Sequence, residues 1–371
     1  MRAGEFHLTY CTNIHAGEEW PEIREALGRV LPRVRHHLGV AGPFGIGLRL
    51  SASASAALAA PAALAEFKRF LADNDYYVFT INGFPYGAFH RERVKEQVYQ
   101  PDWRDSRRVE YSNQLAGILA DLLPGDMATG SVSTVPGAFK SHLSDAADVE
   151  AVAGGIRSHA RYLAELESRT GRRIRLALEP EPSCLLETVE ETCDFFDRYL
   201  DDPAIRRYVG VCVDTCHMAV EFEDPARILP SLTARGVDIV KVQISSALDV
   251  SPANIEALRP FAEDTYLHQV VACHGDTLRR FVDLPDALSA APAGDSWRVH
   301  FHVPLFLQHL GALATTQPFV AAFLKELRGN PVCDQLEVET YTWDVLPAEH
   351  RRLDVAEAIA RELGWVRAQL A

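Results

Sequence analysis

Four side chains suited to holding a hard cation stand at the ends of four successive apolar runs. Glu179 closes RIRLALEP (173–180), Asp214 closes VGVCVDT (209–215), Gln243 lies near the end of DIVKVQIS (238–245), and Glu339 follows QLEV in QLEVETY (335–341). In an extended segment, alternate residues share a face. Glu179 therefore goes with Ala177, Asp214 with Cys212, Gln243 with Lys241 and Glu339 with Glu337. The intervening Leu176, Leu178, Val211, Val213, Val242 and Val338 suit packing under outer helices. Three ionised carboxylates on one rim repel unless protons or a cation compensate. With Gln243 offering its amide carbonyl, the set is all oxygen, which favours Mg2+ or Mn2+, with Zn2+ or Fe2+ as alternatives. Lys241 and Glu337 sit one inward step below two of these ligands. The spacing predicts that they pair and orient Gln243 and Glu339.

The stretch VGVCVDTCHMAVEFEDP (209–225) also crowds Cys212, Cys216 and His217 around Asp214. There is no C-x-x-C, and the two cysteines read as small buried hydrophobes. Seven cysteines, an odd number, point to reduced thiols and a cytoplasmic location. Other polar residues could line a pocket: Asn13, His15, Asn82, His268, His274, His300 and His302. In RVHFHVP, His300 and His302 share one face. If two histidines held a second metal, the site would become that of a binuclear hydrolase. Lys140, Arg49 and Arg91 are candidates for gripping an anion, and the aromatic GFPYGAFH and VYQPDW segments for walling a pocket.

Positioning these residues takes a repeating frame. Eight candidate strands occur at 6–12, 44–51, 76–83, 130–136, 173–180, 209–215, 238–245 and 335–341. Amphipathic segments such as 21–34, 107–123, 154–171 and 353–370 lie between them. This alternation predicts an α/β protein, a (β/α)8 TIM barrel, whose C-terminal strand ends build the site. A doubly wound sheet lacks support, because no G-x-G-x-x-G follows the first strand. Pro32 should bend or split the first helix. The small-residue SASASAALAAPAALAE (51–66) should merely join the second strand to its helix. The 248–298 segment, too long for one helix, reads as an insertion or lid between strands seven and eight, on the catalytic face. Residues 1–371 read as a single domain.

The chain has 371 residues, a hydrophobic fraction of 47% and a net charge of −14. The charge argues against nucleic acid as a partner, and no apolar run is long enough for a membrane span. The opening MRAGEFHLTYC has no signal-like apolar stretch. A homo-oligomer fits the composition as well as a monomer.

Glu179, Asp214-Thr215-Cys216-His217 and Glu339, in that order, resemble the xylose-isomerase-like TIM-barrel superfamily of sugar isomerases and epimerases. Many members place His at the strand-seven position; Gln243 resembles the hydroxypyruvate-isomerase-like branch. More narrowly, FHLTYCTNIH, NGFPYG, VKEQVYQPDW, LALEPEPSCLLET, VDTCHMAVEFE and HFHVPLF resemble the EboE family, the metabolite traffic proteins of bacterial ebo gene clusters. The resemblance implies a metal-dependent isomerase or epimerase acting on a sugar-like or cyclitol-like small molecule. Glu179 and Glu339 would exchange protons through an enediolate, and His217 would hydrogen-bond a substrate oxygen. The same superfamily leaves two other readings open, a metal-dependent hydrolase of endonuclease-IV type and a non-enzymatic metabolite-binding barrel.

Overall fold

The computed structural model describes residues 1–90, 93–291, 294–348 and 353–371. Arg91, one of the candidate anion grips, lies outside the described residues. The main sheet is built from β1 (Arg2–Ala3), β2 (Phe6–Tyr10), β3 (Phe44–Arg49), β4 (Tyr76–Asn82), β5 (Thr129–Thr134), β6 (Arg173–Leu178), β7 (Val209–Asp214) and β8 (Ile239–Ile244). The chain then forms β9 (Leu248–Val250), β10 (Val270–His274), β11 (Thr277–Phe281), β12 (Ser296–Val299), β13 (His309–Leu310) and β14 (Leu313–Thr315), and returns to the main sheet as β15 (Gln335–Val338). The order in that curled nine-stranded sheet is β1-β2-β15-β8-β7-β6-β5-β4-β3. All neighbours pair in parallel except β1, which runs antiparallel to β2. A lone parallel bridge, Cys11 to Gly47, brings the β2 and β3 edges together.

Parallel strands covered on both faces should be apolar along their whole length. Here β3, β7 and β8 are buried at every position. The helices Trp20–Leu38, Ser106–Leu122, Ala146–Thr170 and Val355–Leu370 cover the outside. Pro32 sits inside the first of these without ending it. The 51–66 segment is more than a connector: it forms the helices Ala52–Leu58 and Pro61–Asp73, the first capped by the Ser51 hydroxyl. Alanine is the best helix former, and a capping serine with a proline at the first turn supplies the boundaries.

The inner face is polar at one level. Lys241 and Glu337, both fully buried, pair at 2.5 Å, and Lys241 also donates to Ser133 Oγ at 3.1 Å. Burial alone would lower the Lys241 ammonium, but Glu337 beside it raises it above its ordinary range. Gly47 is needed here. A Cβ on it would meet Glu337 Oε1 at 1.8 Å and the Tyr10 carbonyl at 2.6 Å, so any side chain would displace the pair.

The chain between β8 and β15 forms a second, six-stranded antiparallel sheet of order β11-β10-β12-β9-β14-β13. Its strands extend to Thr315, past the 248–298 segment expected. It has its own apolar core, with Leu248, Val250, Phe261, Trp297, Val299 and Phe301 at the centre. Val303 N donating to Ser246 O and Ala247 N donating to Thr316 Oγ1 tie it to the end of β8. No helix among the described residues is long and apolar enough to cross a membrane, and all seven cysteines are free.

Glu362, on the last helix, is 2% exposed and accepts from Thr340 Oγ1 (2.7 Å) and Leu305 N (3.1 Å). Burial pushes its carboxyl up to about 7. The folded state then holds a proton that the unfolded chain releases above its ordinary value of 4.5. Stability should therefore fall as pH rises from 4.5 to about 7 and level off above, by roughly 3 kcal/mol from this group. Urea unfolding of Glu362→Gln should show that slope flattened and the variant more stable than wild type at pH 8. An unchanged slope would remove Glu362 as its source.

Candidate functional site

At the C-terminal ends of β6, β7 and the strand β15, three carboxylates meet. Glu179, Asp214 and Glu339 each offer an oxygen within 4.8 Å of the others, and they are 3, 0 and 4% exposed. Glu179 and Glu339 line a pocket shared with Asn13, Asn82, Glu181, His217, His300 and Tyr341. Its far walls are aromatic and apolar: Phe84, Phe89, Tyr99 and Tyr266.

The three carboxylates are held differently. Glu339 is saturated with amide donors: Asn13 Nδ2 at 2.7 Å and Asn82 Nδ2 at 3.0 Å on Oε1, and Gln243 Nε2 on Oε2. Asp214 Oδ1 caps the short helix Thr215–Val220, accepting from Cys216 N (2.8 Å), His217 N (3.1 Å) and Ser245 Oγ (2.6 Å). Its Oδ2 is buried and unpartnered, and so is Oε2 of Glu179. Burial, then the charges of Glu339 and Asp214, push Glu179 well above the usual carboxylate range. Burial and then Asp214 do the same for Glu339. Burial opposes ionisation of Asp214 too, but His217, His302 and the Ser245 hydroxyl hold it below its ordinary value.

This donor set fits a divalent cation. Buried carboxylate oxygens without partners are costly unless a proton or a cation meets them, and Glu179 Oε2 and Asp214 Oδ2 are two such atoms at one rim. Gln243 stands beside the set, but its amide is turned: Nε2 donates to Glu339, while Oε1 accepts from Cys212 Sγ at 2.9 Å. In this orientation the Gln243 oxygen, expected as a ligand, faces Cys212, and its NH2 faces Glu339.

The other expected site residues divide. Asn82, His217 and His302 join the cluster, and His300 stands between the two histidines. His15 does not reach it; the ring bonds Tyr10 Oη at 2.9 Å and borders a separate small cavity with Thr12 and Arg49. His268 is fully buried in the second sheet, bonded to His300 O (2.9 Å) and Glu263 Oε1 (2.9 Å), and does not line the pocket. His274 is a surface residue, 70% exposed, near Asp295. It ends β10 at the tight turn into β11 and does not line the pocket. Arg49 is spent on Glu18 (2.6 Å), and Lys140 on Glu187 and Glu191. Lys241 and Glu337 pair beneath the rim, as their spacing suggested.

Four further residues stand at the site. Glu181, 5% exposed, accepts from Tyr99 Oη at 2.7 Å and leaves Oε2 unpartnered. Gln269 binds Pro182 O and His300 Nδ1. Tyr341 closes the pocket over His300 and His302. Cys216 lies within 4.8 Å of ring nitrogens of His300 and His302. Only Glu181 carried a signal, as the second carboxylate of LEPEP.

Among solved structures, the chain is similar to a xylose isomerase-like TIM barrel protein from Mycobacterium smegmatis in complex with magnesium (12% identity, TM-score 0.54, all of both chains covered). It is similar to the probable 3-DHS dehydratase AsbF from Bacillus anthracis (14%, 0.51, 96% of this chain and 97% of that one). It is also similar to 3-keto-D-glucoside 4-epimerase from E. coli (14%, 0.50, 98% and 99%). These likenesses show the fold, an α/β barrel of TIM type. No protein-family model matches the sequence, and no curated protein matches it. The comparisons thus carry the architecture, and the narrower resemblance to EboE proteins rests on the motifs alone.

Proposed function

We propose that the chain is a divalent-metal-dependent isomerase or epimerase acting on a sugar-like or cyclitol-like small molecule. The observation that carries this reading is the asymmetry of two neighbouring buried carboxylates. Glu339 is immobilised by three amide donors, whereas Glu179 lines the pocket with its buried Oε2 bonded to nothing. A base must have an open lone pair, and the Glu179 carboxylate has one, lacking the amide donors that fix Glu339.

Glu179, Asp214 and Glu339 would hold the cation, which supplies Lewis-acid polarisation of vicinal substrate oxygens. Glu179 would take the proton from the carbon next to the substrate carbonyl and return it to the same carbon or, with the hydroxyl proton passing to the carbonyl oxygen, to the adjacent one. Glu339, fixed by Asn13, Asn82 and Gln243, keeps its orientation through the transfer and faces the substrate from the β15 side. His217 lines the pocket with its Nδ1–H given to Pro180 O, which leaves Nε2 as its acceptor. Phe84, Phe89, Tyr99 and Tyr266 exclude water from the pocket. An oxygen-rich donor set favours Mg2+ or Mn2+ at this position. On the EboE resemblance we assign the substrate to a secondary-metabolite pathway, and on the free cysteines a cytoplasmic setting.

The test is solvent deuterium wash-in. Ketoses, keto acids and keto-cyclitols in D2O are incubated with protein and Mn2+, and C–H exchange is followed by proton NMR. Exchange that needs both protein and Mn2+ supports the reading. Hydrolysis of ester or phosphate probes without any exchange would replace it with the hydrolase.

A further inference from the structure

Beside the carboxylates, three histidine rings converge nose to nose. His217 Nε2 lies 3.2 Å from His300 Nε2, which lies 3.1 Å from His302 Nε2. Whether these contacts are hydrogen bonds depends on where the ring protons are, and the other ring nitrogens answer that. His217 Nδ1 faces Pro180 O at 3.0 Å and His302 Nδ1 faces Glu339 O at 2.9 Å. A carbonyl oxygen only accepts, so both Nδ1 atoms carry the hydrogen. His300 Nδ1 faces Gln269 Oε1 at 2.7 Å. That amide cannot be reversed, because its Nε2 donates to Pro182 O at 3.1 Å. His300 Nδ1 is therefore also the protonated nitrogen.

In the neutral rings all three Nε2 atoms then present lone pairs to one another, and the one hydroxyl near them, Tyr341 Oη at 3.4 Å from His300 Nε2, can serve that ring alone. Adding a proton to His300 would satisfy only one of its two neighbours. A shared cation satisfies all three. Two nitrogens about 2.0–2.1 Å from one Zn2+ at a tetrahedral angle lie roughly 3.3–3.4 Å apart, close to the spacings here. Every pair of the three histidines also offers ring nitrogens within 4.8 Å, in groups completed by Glu181, Asp214 or Cys216. Carbonyl and amide acceptors on each Nδ1–H are the outer contacts that fix metal-binding histidines in the correct tautomer.

We propose that His217, His300 and His302 form a second cation site, nitrogen-rich and of zinc or cobalt(II) class, next to the carboxylate centre. Its open side faces the pocket, where Glu181 Oε2 stands buried and unpartnered. Asp214 borders both sites, in one group with His217 and His302 and in the other with Glu179 and Glu339. Nitrogen donors favour Zn2+ over Mg2+ or Mn2+, so the two sites differ in metal preference. The second sheet delivers two of the three ligands, because His300 and His302 directly follow β12.

The experiment counts Zn2+ per chain by native mass spectrometry on full-length protein stripped with chelator and reloaded. Wild type, His300→Ala/His302→Ala and Glu179→Gln are compared, with circular dichroism confirming that each is folded. Two ions in wild type and one in the double histidine variant support the site. One ion in wild type that survives the histidine changes overturns it and leaves the carboxylate centre standing. One ion lost with the histidines but kept in Glu179→Gln supports the histidine site and shows that the carboxylate centre takes no Zn2+. No ion in wild type overturns the histidine site. Should the histidine variant misfold, cobalt(II)-loaded wild type decides: strong tetrahedral-type visible bands support a three-histidine site, and only weak six-coordinate bands overturn it.

Discussion

Glu179→Gln should lower turnover by about 10²–10⁴-fold, the usual contribution of a positioned acid–base group. The change keeps size and an acceptor oxygen at Glu179 but removes the proton-carrying atom. Oε2 of Glu179 is buried and bonded to nothing, so no structural hydrogen bond is lost with it. Thermal stability should therefore hold or rise, because a buried carboxylate beside two others leaves the site. The contrast with Glu339→Gln separates base from scaffold. Glu339 accepts from Asn13, Asn82 and Gln243, all amide donors. An amide in its place must turn its own NH2 toward one of them, so Glu339→Gln should lose stability as well as activity. Deuterium wash-in and melting temperature, measured on both variants, check the pair. Equal melting losses in both would mean that Glu179 is also structural.

Lys241→Met should cost about 3–5 kcal/mol, the penalty for leaving one partner of a buried ion pair behind. Glu337 is fully buried, and Lys241 is the cation paired with it, at 2.5 Å. Gly47 closes the space from the other side, so Glu337 has no room to swing to water. For a protein with the usual 5–15 kcal/mol in hand, this is a large fraction of the total. Lys241→Met/Glu337→Met should recover most of the loss, since apolar side chains of similar volume replace buried pairs at little cost. Chemical unfolding of both single variants and the double variant gives the coupling energy. A double variant no more stable than Lys241→Met would mean that the lysine's worth lies in Ser133 or in packing.

Strand parity made the carboxylate rim legible. Glu179, Asp214 and Glu339 each follow apolar residues that have to pack outward, and that alone turns them inward. The Lys241–Glu337 pair was legible for the same reason. Side-chain amides were not. Gln243 shares the inward face, but parity says nothing of which end of the amide turns to the carboxylate, and Cys212 with Glu339 decides that. The histidine cluster was hidden by topology. His300 and His302 reach His217 only because β12 pairs with β9 and β10 in a sheet of long-range contacts. Spacing along the chain does not encode such contacts. His274 looked equal to them in the sequence, yet β10 carries it to an exposed turn. The 51–66 segment was misjudged because its small residues suggested a linker, although alanine-rich composition favours helix.

The most direct test of the carboxylate centre is a crystal soaked in Mn2+ and measured at the manganese edge. The account predicts an anomalous peak bounded by oxygens of Glu179, Asp214 and Glu339, weakened or lost in Glu179→Gln. A peak absent from that rim, with Mn2+ bound elsewhere or nowhere, would contradict it.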